Sequence, residues 1–271
     1  MEDRRLSMVV AAAVVMVVLG VMWDVTRRTL SRPHPAAEVA LPPETAAAGD
    51  TLPPPASSPP PGGAQSQGVR PPSGEGPGYL ELVARAETRR QIRASAGLTY
   101  LNEIVAASGD SMLHRWDNRV SRPVRVHLAS GRAANYQPAF LDAVREAFRA
   151  WEAVVPVRFD LSADSASAEV RLFWRVQFEI ERTGQTDLEW DDNGHITGGV
   201  LTLATFDPQG QPMGRDEVRL VALHEVGHLV GLDHSPDSTD VMFPVATVRE
   251  LSRRDIETAR LLYRLAPGSL R

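Results

Sequence analysis

The chain has 271 residues, 43% of them apolar and 23% charged, with a formal net charge of −5. That length holds a well-cored domain with residues to spare, and the acidic balance argues against a dedicated nucleic-acid binder. It has no cysteine, which excludes disulfides, thiolate metal sites, iron–sulfur clusters and a cysteine nucleophile. All 29 basic residues are arginine, a bias that reads as codon usage rather than physics.

In chain order, residues 1–28 come first. Arg4 and Arg5 precede an uncharged run from Met8 to Trp23, and Asp24, Arg27 and Arg28 come directly after it. The run falls between a signal-peptide core and a full membrane helix of about 20 residues. No good small-residue cleavage site accompanies it, so an uncleaved membrane anchor is the favoured expectation, with secretion as the alternative. Either way the bulk of the chain is expected outside the cytoplasm. Residues 29–77 hold thirteen of the 21 prolines, including Pro53-Pro54-Pro55 and Pro59-Pro60-Pro61. Such a stretch cannot bury a core and reads as an extended linker. Residues 78–113 show broken helical spacing at Leu80, Val83, Ile92, Leu98, Leu101, Ile104 and Val105. They read as a pro-segment or as helices packed on the domain that begins near residue 114.

That compact domain is expected over 114–266. Pro123 to Leu128 reads as a strand. Pro138 opens an amphipathic helix with Phe140, Leu141, Val144, Phe148 and Trp151 on one face. Strands are expected over 157–161, 169–178 and 199–205, with a turn at Asp191-Asp192-Asn193-Gly194. Helices are expected near 216–230 and 252–264, the second opened by Ser252 and Asp255 in a capping-box arrangement.

The chemistry concentrates in Leu223-His224-Glu225-Val226-Gly227-His228-Leu229-Val230-Gly231-Leu232-Asp233-His234. Histidines four apart on a helix share one face and can hold one ion. Glu225, displaced around the helix, reaches a water on the metal rather than the metal. Gly231 stands where the chain must leave the helix with positive φ, which lets His234 return as third ligand. Three protein ligands leave an open coordination position, the mark of a catalytic site. Histidine ligands must be neutral to bind, so activity is expected to fall below about pH 6.

This His-Glu-x-x-His-x-x-Gly-x-x-His pattern resembles the metzincin metalloproteases. Ser235 after the third histidine, the segment Asp240-Val241-Met242-Phe243-Pro244, and Leu251 to Ile256 running on to Tyr263 narrow the resemblance to matrixins. Arg115-Trp116, the helix from Phe140 to Trp151 and Pro156 to Phe159 are similar to the start of that domain. The resemblance implies an α+β fold: a twisted, mostly parallel sheet with an antiparallel edge strand, two helices, and a third helix below the cleft. It implies a zinc endopeptidase working through a zinc-bound water, with Glu225 as general base, His224, His228 and His234 as ligands, and Met242 as the Met-turn residue. Pro244 stands where astacin-like members carry a tyrosine ligand, so no such ligand is expected.

Gly198 to Ala204 resembles the family's edge strand above the cleft, which makes Leu201, Leu203 and Ala204 substrate-binding candidates. Leu220, Pro244 and Val245 are expected to wall the specificity pocket, favouring an apolar residue after the cut bond. One catalytic zinc is expected. Leu203 replaces a histidine that helps hold a second, structural zinc in vertebrate members, and the upstream His-x-Asp loop is missing, so no structural zinc is expected. Calcium at Asp191 and Asp192 is less well supported than a hairpin turn. The expected partners are a polypeptide substrate and, through the N-terminal segment, a membrane; the chain is expected to be a monomer. The alternatives are a peptidase of cell-wall peptides and a zinc-folded binding module without catalysis.

Overall fold

The computed structural model describes residues 77–108, 111–245 and 247–271. The expected anchor (1–28) and all but the last residue of the expected linker (29–77) lie outside them. Among the described residues no helix is long and apolar enough to cross a membrane. Two helices come first, α1 (Tyr79–Ala94) and α2 (Leu101–Ala107), then a two-residue strand β1 (Met112–Leu113). The central elements are β2 (Arg119–Leu128), α3 (Ala139–Glu152), β3 (Val157–Asp160), β4 (Val170–Arg175), β5 (Gly184–Trp190) and β6 (Ile196–Ala204). Helices α4 (Arg215–Leu229) and α5 (Arg253–Arg264) and strand β7 (Gly268–Ser269) close the chain.

Five strands form one sheet in the order β3-β2-β4-β6-β5. All neighbours are parallel except β5, which pairs antiparallel with β6. A mostly parallel sheet with an antiparallel edge, covered by helices, is the expected α+β architecture. Helix α3 buries Phe140, Ala143, Val144, Ala147, Phe148 and Trp151, one stripe at helical spacing. That stripe packs toward α4 and the sheet, and Phe148 meets Phe159 of β3 edge-on. On α4 the whole run from Ala222 to Leu229 is buried. A helix wrapped on all sides needs no amphipathic stripe, which is why its sequence is apolar around the two histidines.

The sheet corrects one expectation. Strand β6 is not an edge: β4 pairs along one side of it and β5 along the other. Leu201, Leu203 and Ala204 are each 1% exposed and belong to the core. The edge strand is β5, reached through the turn at Asp191–Gly194. Its sequence, Gly-Gln-Thr-Asp-Leu-Glu-Trp, is too polar to signal a strand, yet that polarity suits an edge with one solvated face. The apolar run of β6 is what a strand paired on both sides requires.

The turn itself behaves as expected. Asp191 Oδ1 accepts the backbone N–H groups of Asn193 and His195, both at 2.9 Å, and Gly194 takes φ +80°. His195 lies outside the cluster of His224, His228 and His234, at 3.2 Å from Asp117 and 3.3 Å from Asp191.

Candidate metal centre

Helix α4 carries two of the site histidines and its ending delivers the third. At that ending the N–H of Gly231 bonds the carbonyl of His228 at 2.9 Å, and the N–H of Leu232 bonds that of Gly227 at 3.1 Å. This is a Schellman motif, with Gly231 at φ +99° in the left-handed position. A Cβ at Gly231 would lie 2.1 Å from the carbonyl oxygen of His114, so only glycine fits. Aromatic donors take other carbonyls of the same helix end. Trp116 Nε1 bonds Leu229 O at 2.9 Å and the Tyr263 hydroxyl bonds Val230 O at 3.0 Å. Further back, Trp151 Nε1 bonds Leu223 O at 2.8 Å. Burial pushes the Tyr263 phenol well above its ordinary range, so it stays a neutral donor.

The turn brings His224, His228 and His234 together, with one ligand nitrogen from each inside a 4.8 Å cluster. His224 Nδ1 lies 2.7 Å from Val241 O, and His228 Nδ1 lies 2.9 Å from Leu232 O. A carbonyl can only accept, so each Nδ1 carries a proton, and in the neutral imidazole that binds metal each Nε2 then keeps its lone pair. The two Nε2 atoms face each other at 3.1 Å. Two lone pairs at that distance repel unless a cation lies near both, so the donor set fits a zinc ion.

The segment around Met242, the expected Met-turn, packs against the helix that carries the first two histidines. Met242 is fully buried, and a Cβ on Gly227 would sit 2.2 Å from its sulfur and 2.9 Å from Trp151 Cζ2. Glycine between the two helical ligands is therefore what lets the methionine close up under the site. Asp255 holds the turn from below: Oδ2 accepts from Val241 N and from Ser252 N, each at 2.9 Å. Ser252 Oγ in turn accepts from Asp255 N, completing the expected capping box. Ser235 bonds Asp240 through its hydroxyl and Met242 O through its N–H, which ties the third-ligand loop to the same turn.

Glu225 is 5% exposed and sits under β5. The Thr186 hydroxyl lies 2.6 Å from Glu225 Oε2 and 2.9 Å from the Glu225 carbonyl oxygen. The charged acceptor at the shorter distance takes the hydrogen. A Cβ on Gly184 would meet Oε1 at 2.4 Å, so the strand backbone lies directly over the carboxylate. Burial pushes the Glu225 carboxyl above its ordinary value, while His224, the Thr186 hydroxyl and the Arg182 guanidinium pull it back. Sequence reasoning missed Thr186, Gly184 and Arg182, because all three lie on or beside a strand that its polar sequence concealed.

The remaining sequence candidates fall into two groups. Leu220 is half-buried on α4, with Pro244 and Val245 exposed after the Met-turn. Leu201, Leu203 and Ala204 lie in the core and are not brought to the His cluster.

Comparison with known proteins agrees with this geometry. The matrixin family model matches residues 125–264. The chain is 26% identical over 142 residues to metalloendoproteinase 1 of Glycine max, covering 47% of each. It is 28% identical over 109 residues to metalloendoproteinase 1-MMP of Arabidopsis thaliana, covering 37% of this chain and 30% of that protein. It is 30% identical over 159 residues to macrophage metalloelastase of Oryctolagus cuniculus, covering 52% of this chain and 34% of that protein. The chain thus spans less than half the length of each of these relatives. A family match across half the chain, on residues that include the His cluster, Glu225 and the Met-turn, places this protein in the matrixin family.

Proposed function

We propose that this protein is a zinc-dependent endopeptidase that hydrolyses extended polypeptides, with one catalytic zinc on His224, His228 and His234. The observation that carries the reading is a three-imidazole cluster, two of its rings oriented by backbone carbonyls, beside a buried carboxylate on the same helix. A bound zinc ion would polarise the scissile carbonyl and make a water nucleophilic near neutral pH. Glu225 takes the proton of the attacking water and hands it to the leaving amine. Its Oε2 is engaged by Thr186, which leaves Oε1 for that transfer. Burial limits solvation of the Glu225 carboxylate by bulk water, which leaves it free to accept a proton inside the site.

Strand β5 supplies the substrate edge in this reading. It is the terminal strand of the sheet and it lies against α4 beside Glu225. An extended peptide adds to such an edge by backbone hydrogen bonds, which are indifferent to side chains. Selectivity then falls to the pocket, for which Leu220, Pro244 and Val245 are the candidate walls, favouring an apolar residue after the cut bond. The N-terminal apolar run and proline-rich stretch support a catalytic unit working outside the cytoplasm, anchored or secreted.

The test is zinc content and cleavage of an unbiased peptide mixture, wild type beside Glu225→Ala. One zinc per chain in both proteins is expected, with turnover in the variant reduced by about 10²–10⁴-fold, the usual share of a general base. Equal cleavage by the two proteins would remove Glu225 from the mechanism. Zinc in both and cleavage in neither would favour the binding-module alternative.

A further inference from the structure

Residues 77–113 precede the family match and contain no metal-site residue, yet they reach the floor of the site. Tyr100, the residue just before α2, is fully buried. Its hydroxyl lies 2.9 Å from Asp255 Oδ1, and its backbone N–H bonds Thr258 Oγ1 at 3.1 Å. The Arg254 guanidinium stands 5.7 Å from the centre of its ring. Asp255 is fully buried and is the residue that holds Val241 N, while Val241 O orients the ligand His224. A continuous path of hydrogen bonds and the backbone of one residue therefore runs from Tyr100 through Asp255 and Val241 to His224.

The rest of the segment is fastened on the same side. Ile92, Leu101, Ile104 and Leu113 are buried in the core shared with α4 and α5. β1 pairs with β7, and Leu270 N bonds Ser111 O at 2.9 Å. Arg85 and Arg89 donate to the backbone carbonyls of Arg271 and Leu270. A removable inhibitory segment must leave the mature enzyme intact when it goes. Departure of this one would empty a site filled by four buried apolar side chains and a tyrosine. It would also leave the buried Asp255 short of a donor, the costly half of a broken hydrogen bond.

We propose that residues 79–113 are a permanent part of the catalytic unit, and that Tyr100 is a positioning residue holding the Met-turn and His224 through Asp255. This rests on the zinc-site reading but not on the identity of the substrate. Phenol deprotonation plays no part in it: burial and the neighbouring carboxylates of Asp255 and Asp240 keep Tyr100 neutral, with Arg254 opposing them.

The experiment uses the full chain and has two arms. In the first, the zinc-loaded protein is mixed with a chelator and zinc release is timed for wild type, Tyr100→Phe and Ile104→Val. Loss of a partner directly behind a ligand costs about 10–100-fold in metal affinity. Tyr100 acts two links further back, so release about fivefold faster is expected for Tyr100→Phe. Ile104→Val loosens the same helix without touching Asp255 and should release zinc at the wild-type rate. Wild-type release from Tyr100→Phe, or equal acceleration in Ile104→Val, overturns the positioning role. In the second arm a specific protease site is inserted between Ser108 and Ser111 and cut, which keeps every native side chain. The freed segment should stay bound and peptide cleavage should not rise. Cleavage that rises, or a catalytic fragment that keeps its zinc and turnover once the segment has left, overturns the permanent role. Zinc release does not depend on turnover, so a chain that held zinc this way but cut nothing would refute the protease reading alone.

Discussion

The floor and the roof of this site are built by opposite means. In the floor, each group is held by backbone or buried side-chain hydrogen bonds: His224 by Val241, His228 by Leu232, the Met-turn by Asp255. His224, His228, Met242 and Asp255 are buried, and only His234 of the three histidines keeps part of its side chain in solvent. The roof is a single antiparallel strand at the end of the sheet, polar in sequence, joined to the floor by Thr186 and by the close approach of Gly184 to Glu225. A metal site tolerates little displacement of its donors, so it is set in a packed interior. In the proposed reading β5 pairs with a peptide, and an edge of that kind must keep backbone groups available, which suits a strand where the sheet stops.

The sharpest way to break the floor is Gly227→Ala. Replacing a mid-helix glycine by alanine normally gains about 1 kcal/mol of helix propensity. Here the added methyl would overlap the Met242 sulfur at 2.2 Å and Trp151 at 2.9 Å, both fully buried. Overpacking of this kind costs about 1–3 kcal/mol and displaces neighbours, so it outweighs the propensity gain. The Met-turn must shift, and Val241 O with it. The variant should melt several degrees lower and hold zinc at least about tenfold more weakly, as expected for loss of a ligand's outer partner. Calorimetry and a zinc-competition titration check both, and wild-type values in each would show that the methionine is not wedged by this glycine.

The same contrast explains what could be read from the sequence. The floor was legible because its ligands lie close together on one helix and its turn. There helix period, glycine conformation and ligand spacing are all local rules, and the Schellman ending at Gly231 obeys them. The amphipathic face of α3 was legible for the same reason. The roof was not. Strand β5 has no apolar alternation, and pairing with β6 is what makes it a strand. Without β5 in view, the apolar strand β6 took its place as the edge, and Leu201, Leu203 and Ala204 were assigned to substrate instead of to the core. Tyr100 was equally invisible: its partner Asp255 lies 155 residues away.

Thr186→Val tests the roof. Valine keeps the shape and removes the hydroxyl that bonds Glu225 Oε2 at 2.6 Å. A hydrogen bond to a charged group contributes about 1.5–3 kcal/mol, on the order of ten- to a hundredfold in rate if it is spent on orienting the base. The expected result is kcat lowered about tenfold with KM and zinc content unchanged, and recovery in Thr186→Ser. A change in KM alone would assign Thr186 to substrate pairing instead of to Glu225.

The smallest effect is expected away from both, where Glu169 ties the start of β4 to β2. Burial alone would raise its carboxyl. The Arg125 N–H at 3.0 Å and the Arg119 guanidinium overcome that, and the group is held below the ordinary value. A carboxylate whose folded pKa is depressed stabilises the fold above the unfolded value, about 4.3 for glutamate. That contribution is lost as pH falls through the lower, folded value. Wild type should therefore lose stability to urea as pH drops below about 4.5, and Glu169→Gln should lose less over the same interval. The side chain is partly solvated and its ion pairs are screened, so the difference should be modest and should shrink in high salt. Because Glu169 touches neither floor nor roof, zinc affinity near neutral pH should not change in the variant. A weakened zinc site in Glu169→Gln would mean that the sheet transmits strain to α4, and the separation between a rigid floor and an independently built scaffold would fail.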